Sequence, residues 1–177
     1  MRSIIAVSLV AALAGCATTR TDLPTQSSVD LSKYAGTWYE QARLPNRFQD
    51  DCASDVQADY VLREDGTLGV TNQCKKANGE TKVATAQGRL NPSVQPPDPA
   101  KLQVRFAPAW TSWLPWVWGN YWIIKLAGDY EYSLVGTPDR EYLWVLTREK
   151  DADQARVDDL LDYARTQGFA VDKMVRQ

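Results

Sequence analysis

The sequence predicts an all-β domain: an eight-stranded antiparallel up-and-down barrel with a C-terminal α-helix packed on its outside. Three observations lead there. Short segments of alternating apolar and polar residues recur along the middle of the chain. Tight-turn dipeptides, Asp65-Gly66, Asn78-Gly79 and Gly128-Asp129, stand between several of them. From Asp151 onward the period lengthens to that of a helix. The chain has 177 residues, enough for one domain with a sizeable core. Its net charge of -2, with no basic run or face, gives nucleic acid no footing.

Residues 1–15 start with Arg2, run apolar from Ile4 to Leu13 and end in Ala14 and Gly15. That is the shape of an export signal, and it is too short to span a bilayer. "LAGC", Leu13 to Cys16, looks like a bacterial lipobox, which implies cleavage before Cys16 and acylation of its thiol. The alternative is a plain secretory signal with an incidental cysteine. Acylation by more than one chain would hold the protein on its membrane. Ala17 stands where sorting of this type places an aspartate for inner-membrane retention, so the outer membrane is expected, with the domain facing the periplasm. Residues 16–30, Ser/Thr-rich and without apolar period, read as the lipidated cysteine and a flexible tether. The folded domain then spans 31–177.

The first strand falls at 37–44. The second, 54–63, alternates well, with Val56, Ala58, Tyr60 and Leu62 opposed to Asp55, Gln57, Asp59 and Arg63. Strands at 68–73 and 82–90 follow across the two Gly turns, then a proline-rich loop and a strand at 101–106. A tryptophan-rich stretch leads to strands at 121–126, 130–135 and 142–148. Val157, Leu160, Leu161 and Ala164 fall at i, i+3, i+4 and i+7 of one amphipathic helix, which Gly168 stops. Mostly tight connections pair each strand with its neighbour, and eight strands are the number at which a barrel can hold one small ligand. Cys52 and Cys74 sit at the outer ends of one hairpin, so a disulfide is expected in an oxidising compartment.

"YAGTWYEQARLPNRF", from Tyr34 to Phe48, resembles the lipocalin signature Gly-x-Trp at the start of the first strand, carried by Gly36 and Trp38. "GDYEYSLVGTPDREYLWVLTR", from Gly128 to Arg148, resembles that family's second and third motifs. The lipobox and terminal helix make the bacterial outer-membrane lipoprotein group of lipocalins the most similar. The resemblance implies that Trp38 plugs the closed end of the barrel with Arg148 across its indole face. It also implies lipid storage or transport in envelope maintenance. The tryptophan-rich segment departs from the family pattern.

With Trp38 and Arg148 inside, a period of two assigns the remaining strands. The expected lining is Ala42, Val56, Ala58, Tyr60, Ala86, Val104, Phe106, Trp122, Ile124, Tyr132, Tyr142 and Trp144. This lining is apolar and aromatic, with small residues that leave space, and suits the chain of a fatty acid or lysophospholipid. The opposite possibility is that these side chains meet and fill the barrel. Glu40 also falls inside, where a tyrosine hydroxyl, Arg148 or a bound proton would have to compensate it. Loops alternate between barrel ends, so the stretch 107–120 lies at the open mouth. Trp110, Trp113, Trp116 and Trp118 there cap the cavity, touch a ligand, dip into a membrane interface or fold onto the rim.

The chain contains no histidine, which removes the usual neutral-pH base and the commonest metal ligand. No serine-nucleophile motif of the G-x-S-x-G type occurs. The expectation is a binding protein without metal or cofactor. The rivals are a lipid-modifying enzyme using Glu40 and nearby tyrosines, and a carrier of haem or another tetrapyrrole. Oligomeric state is left open by the sequence.

Overall fold

The computed structural model describes residues 22–177; Cys16 and the leader lie outside the described residues. After a short helix, α1 (Leu31–Tyr34), come β1 (Gly36–Arg43), β2 (Cys52–Leu62), β3 (Leu68–Lys76) and β4 (Thr81–Leu90). Then follow β5 (Lys101–Arg105), β6 (Gly119–Ala127), β7 (Tyr132–Gly136), β8 (Leu143–Thr147), α2 (Gln154–Thr166) and β9 (Val175–Arg176). Strands β1 to β8 each pair antiparallel with the next, and β1 also pairs with β8, so the sheet closes into a barrel. Gly66 and Gly79 take φ of +77 and +85 in the turns leaving β2 and β3, where a side chain would be strained. Asp153 caps α2 by accepting a hydrogen bond from the Ala155 N–H at 2.9 Å, and Gly168 at φ +87 ends it.

Strand β1 stays with β2 only over Gly36 to Tyr39. Beyond that β9 takes the freed edge, pairing with Ala42 and Arg43. This C-terminal strand, like α1, carries no periodicity long enough to read from sequence.

Two β-bulges decide which side chains enter the barrel. In β1, Glu40 stands opposite Leu146 and Ala42 opposite Val145, which makes Gln41 the extra residue. In β6, Ile123 pairs with Val135 and Lys125 with Leu134, so Ile124 is the extra one. The result is two sets of cross-barrel rows. Leu126, Ser133, Leu146 and Glu40 form an inner row, as do Ile123, Val135, Trp144 and Arg43. Lys125, Leu134, Val145 and Ala42 form an outer row beneath α2.

There are accordingly two apolar clusters. The outer one joins Val157, Leu160, Leu161 and Ala164 of α2 to Ala42, Leu44, Trp122, Ile124, Tyr132 and Leu134. The inner one holds Trp38, Ala58, Tyr60, Val70, Leu102, Ile123, Val135 and Leu146. Residues 22–30, expected as free tether, are instead laid against the barrel. Leu23 is buried in the outer cluster, Gln26 N–H donates to the Ile123 carbonyl at 2.9 Å, and Asp30 N–H donates to the Tyr130 hydroxyl at 2.7 Å. The folded unit therefore starts by Asp22.

Cys52 and Cys74 form a disulfide, with Cα atoms 5.6 Å apart and a sequence separation of 22. A loop of that length should give a stabilisation of about 3 kcal/mol through the unfolded chain. Urea unfolding of reduced, alkylated protein against the oxidised form measures it. An unchanged midpoint would show that the bridge is mechanically idle.

Candidate functional site: the barrel interior and its mouth

The base of the barrel is sealed. Helix α1 delivers Tyr34 upward into it, and the Tyr34 hydroxyl lies 2.9 Å from that of Tyr121 and 3.1 Å from Ser133 Oγ. Tyr60 completes the network, its hydroxyl 2.8 Å from Tyr121. Burial pushes the Tyr34 phenol up to about 12, and raises Tyr60 and Tyr121 well above the ordinary phenol value too. Trp38 is fully buried; its indole N–H donates to the Tyr34 carbonyl at 2.8 Å, and the Arg148 guanidinium lies 3.9 Å from its ring centre. Arg148 also donates to the carbonyls of Lys33, Tyr34, Ala35 and Thr37. Gly36, at φ +100, lets it approach: a Cβ there would sit 3.2 Å from Arg148 Nη1.

Above the base the interior opens. Ala58, Asn72 and Ala84 form one row and Tyr60, Val70 and Ala86 the next. Ala84, Ala86, Val104, Asn72 and Trp144 remain partly exposed although their strands turn them inward. Their incomplete burial contrasts with the fully buried Trp38 and Tyr34 at the base. Asn72 Oδ1 is buried without a hydrogen-bond partner.

Beside this space lies a buried polar cluster. Arg43 donates to Glu40 Oε1 at 2.7 Å, both side chains being nearly inaccessible. Gln49, on the loop between β1 and β2, donates to Glu40 Oε2 at 2.6 Å and accepts from the Trp144 indole N–H at 2.9 Å. Gln177 donates to Glu40 Oε1 at 3.1 Å. Burial pushes the Glu40 carboxyl upward, against the hydrogen bonds from Gln49 and Arg43. Glu40 is thus compensated by Arg43, a residue that strict alternation would have put outside. The bulge at Gln41 brings it in.

The expected lining divides accordingly. Val56, Ala58, Tyr60, Ala86, Val104 and Trp144 belong to the inner face. Tyr142 stacks on Trp144 at 5.9 Å, next to Phe48, and Phe106 lies half-exposed just past the end of β5. Ala42, Trp122, Ile124 and Tyr132 are corrections: they sit outside, under α2. Period counting fails at Ala42 because of the β1 bulge. It fails for Trp122 and Ile124 because of the β6 bulge, and for Tyr132 because β7 is apolar on both faces, one packing inward and the other against the helix. Arg43, Tyr121, Ile123 and Ser133 escape period counting for the same reasons, Tyr34 because it lies on the short α1, and Asn72 because a polar side chain on the inner face of β3 breaks the apolar-inside rule. The one available signal was the apolar stripe of α2, which demands an equally apolar outer barrel face.

The tryptophan stretch behaves in two ways. Trp118 folds back onto the outer wall, its ring 3.7 Å from the Arg89 guanidinium and 5.1 Å from that of Arg105. Its indole N–H donates to the Ser112 carbonyl at 2.8 Å. Trp110, Trp113 and Trp116 are each 76% exposed, on and between two 3-10 turns at Ala109–Thr111 and Pro115–Val117.

An eight-stranded cup with one sealed end, an indole–guanidinium plug and a helix along its wall defines a class of small-ligand barrel proteins. Residues 29–177 match the family model described as a lipocalin-like domain, and the chain belongs to the lipocalin family. It is 32% identical over 158 residues to temperature-induced lipocalin-1 of Arabidopsis thaliana, covering 89% of this chain and 83% of that one. Over 149 residues it is 33% identical to the outer membrane lipoprotein Blc of Citrobacter freundii, covering 84% and 78%. Among solved structures it resembles insecticyanin from Manduca sexta, with a TM-score of 0.65 and 19% identity over 88% of this chain and 82% of that one.

Proposed function

We propose that this lipocalin is a membrane-anchored lipid-binding protein that holds one fatty acid, lysophospholipid or similar amphiphile. The acyl chain lies along Ala84, Ala86 and Val104, and the polar head stays at the mouth. The observation carrying this reading is the contrast between a base filled by Trp38 and the tyrosines and an upper interior of small, partly exposed residues. Likeness to an outer membrane lipoprotein and the Cys16 motif support an acyl anchor in the outer membrane, the domain facing the periplasm. Storage or transport of lipid in envelope maintenance follows as the role. A catalytic reading is less well supported, because Arg43, Gln49 and Gln177 occupy both oxygens of Glu40.

Fluorescence titration with lysophospholipids of increasing chain length is the test. Affinity should rise about fourfold per methylene until the space is full. Ala86→Phe, which fills the row beside Val70, should stop that rise at shorter chains. Saturation independent of chain length would refute an acyl site in the barrel.

A further inference from the structure

We infer that the tryptophan loop docks the open mouth of the barrel onto a lipid bilayer surface. The inference deepens the lipid-binding reading and rests on it for its purpose, though not for its physics. Trp110, Trp113 and Trp116 are each 76% exposed, and Phe48 and Phe106 at the same end are about half exposed. A soluble protein gains nothing from three bare indoles side by side. The bilayer interface is where indoles are favoured, since the ring leaves water while its N–H keeps polar partners.

The loop is built for that environment in three respects. Residues 106–118 contain no charged side chain, so none has to be desolvated on entry. The two 3-10 turns satisfy part of the loop's backbone within the loop itself. Thr111, Ser112, Leu114 and Trp118 donate to the carbonyls of Pro108, Ala109, Thr111 and Pro115, and Pro108 and Pro115 have no N–H to satisfy. The loop is also held in shape. Trp118 is clamped between Arg89 and Arg105, and Arg105 donates back to the Ala107 carbonyl at 3.0 Å and to that of Pro108. The exposed indoles are therefore presented on a fixed platform.

The chain outside the described residues argues for a bilayer as the occupant. The folded unit begins by Asp22, so an acylated Cys16 would be joined to it by six residue steps, about 20 Å at full extension. A barrel on so short a leash stays beside the membrane, where the loop meets lipid at high effective concentration. Mouth-down docking lets an acyl chain pass between bilayer and barrel without crossing water.

The test uses the full acylated chain in vesicles of phosphatidylethanolamine and phosphatidylglycerol whose acyl chains carry bromine. Wild-type tryptophan emission should be strongly quenched and insensitive to added salt. The combined variant Trp110→Ser, Trp113→Ser, Trp116→Ser should lose at least about tenfold of that quenching while keeping its unfolding temperature. Equal fractional quenching in both proteins overturns the inference. So does a wild-type protein that sediments as a dimer with unquenched indoles, because the patch is then an interface between copies. Quenching that follows the loop in a protein that fails the chain-length titration keeps the docking surface and removes the barrel cargo.

Discussion

Above pH 10 the barrel is expected to lose stability steeply, because its base depends on three buried, un-ionised phenols. In the unfolded chain Tyr34, Tyr60 and Tyr121 ionise near pH 10. In the folded protein burial raises Tyr34 to about 12 and raises Tyr60 and Tyr121 strongly as well. Their contribution is therefore complete below pH 10 and declines as pH climbs through the folded values, since the unfolded state releases protons first. Three such groups give a slope of up to about 4 kcal/mol per pH unit. Urea midpoints at a series of pH values, with tyrosinate absorbance followed in parallel, measure this. Three phenols ionising near pH 10 while the barrel stays folded would defeat the account. Tyr121→Phe should flatten the slope and cost about 1–3 kcal/mol at neutral pH, since Tyr121 is the partner of Tyr60 in the network.

Arg43→Met should destabilise the protein by about 3–5 kcal/mol, because it leaves Glu40 buried and ionised without its counter-charge. Adding Glu40→Gln should return most of that loss, since the amide keeps much of the hydrogen bonding without charge. The single variant should also regain stability in acid. Burial already holds the Glu40 proton more tightly in the folded state than in the unfolded one, so protonation favours folding. That gain is present at low pH and lost as pH rises through the folded value. Thermal unfolding at neutral and mildly acidic pH separates the cases. A loss independent of pH would mean that Arg43 acts through packing alone.

How much the sequence reveals depends on whether a strand has one apolar face or two. β2 to β4 have polar outer residues, so alternation alone assigns Ala58, Tyr60 and Ala86 to the inner face. The tight Gly turns make the strand order legible, and the apolar spacing of α2 makes its buried stripe legible. β6, β7 and β8 are different. "YWII", "SLVG" and "LWVL" are apolar apart from Ser133, because one face meets the barrel interior and the other meets α2. No period exists there to read, and Trp122, Ile124 and Tyr132 turn outward under α2 without any alternation to mark it. Bulges have no sequence mark either, which hid Arg43, the partner on which Glu40 depends. Residues 22–30 looked like linker because they contribute single anchors, Leu23 and Gln26, rather than a repeating face.

Strand β9 couples the open edge of β1 to the buried Glu40. Where β1 leaves β2 its edge is covered only by Val175 and Arg176, and Gln177 bonds both the Gln41 carbonyl and Glu40. The hydrogen bonds of the first strand are thus completed from far along the chain, Gln177 standing 137 positions from Glu40. Fraying of so short a strand bares the β1 edge and strips one partner from the buried carboxylate in the same motion.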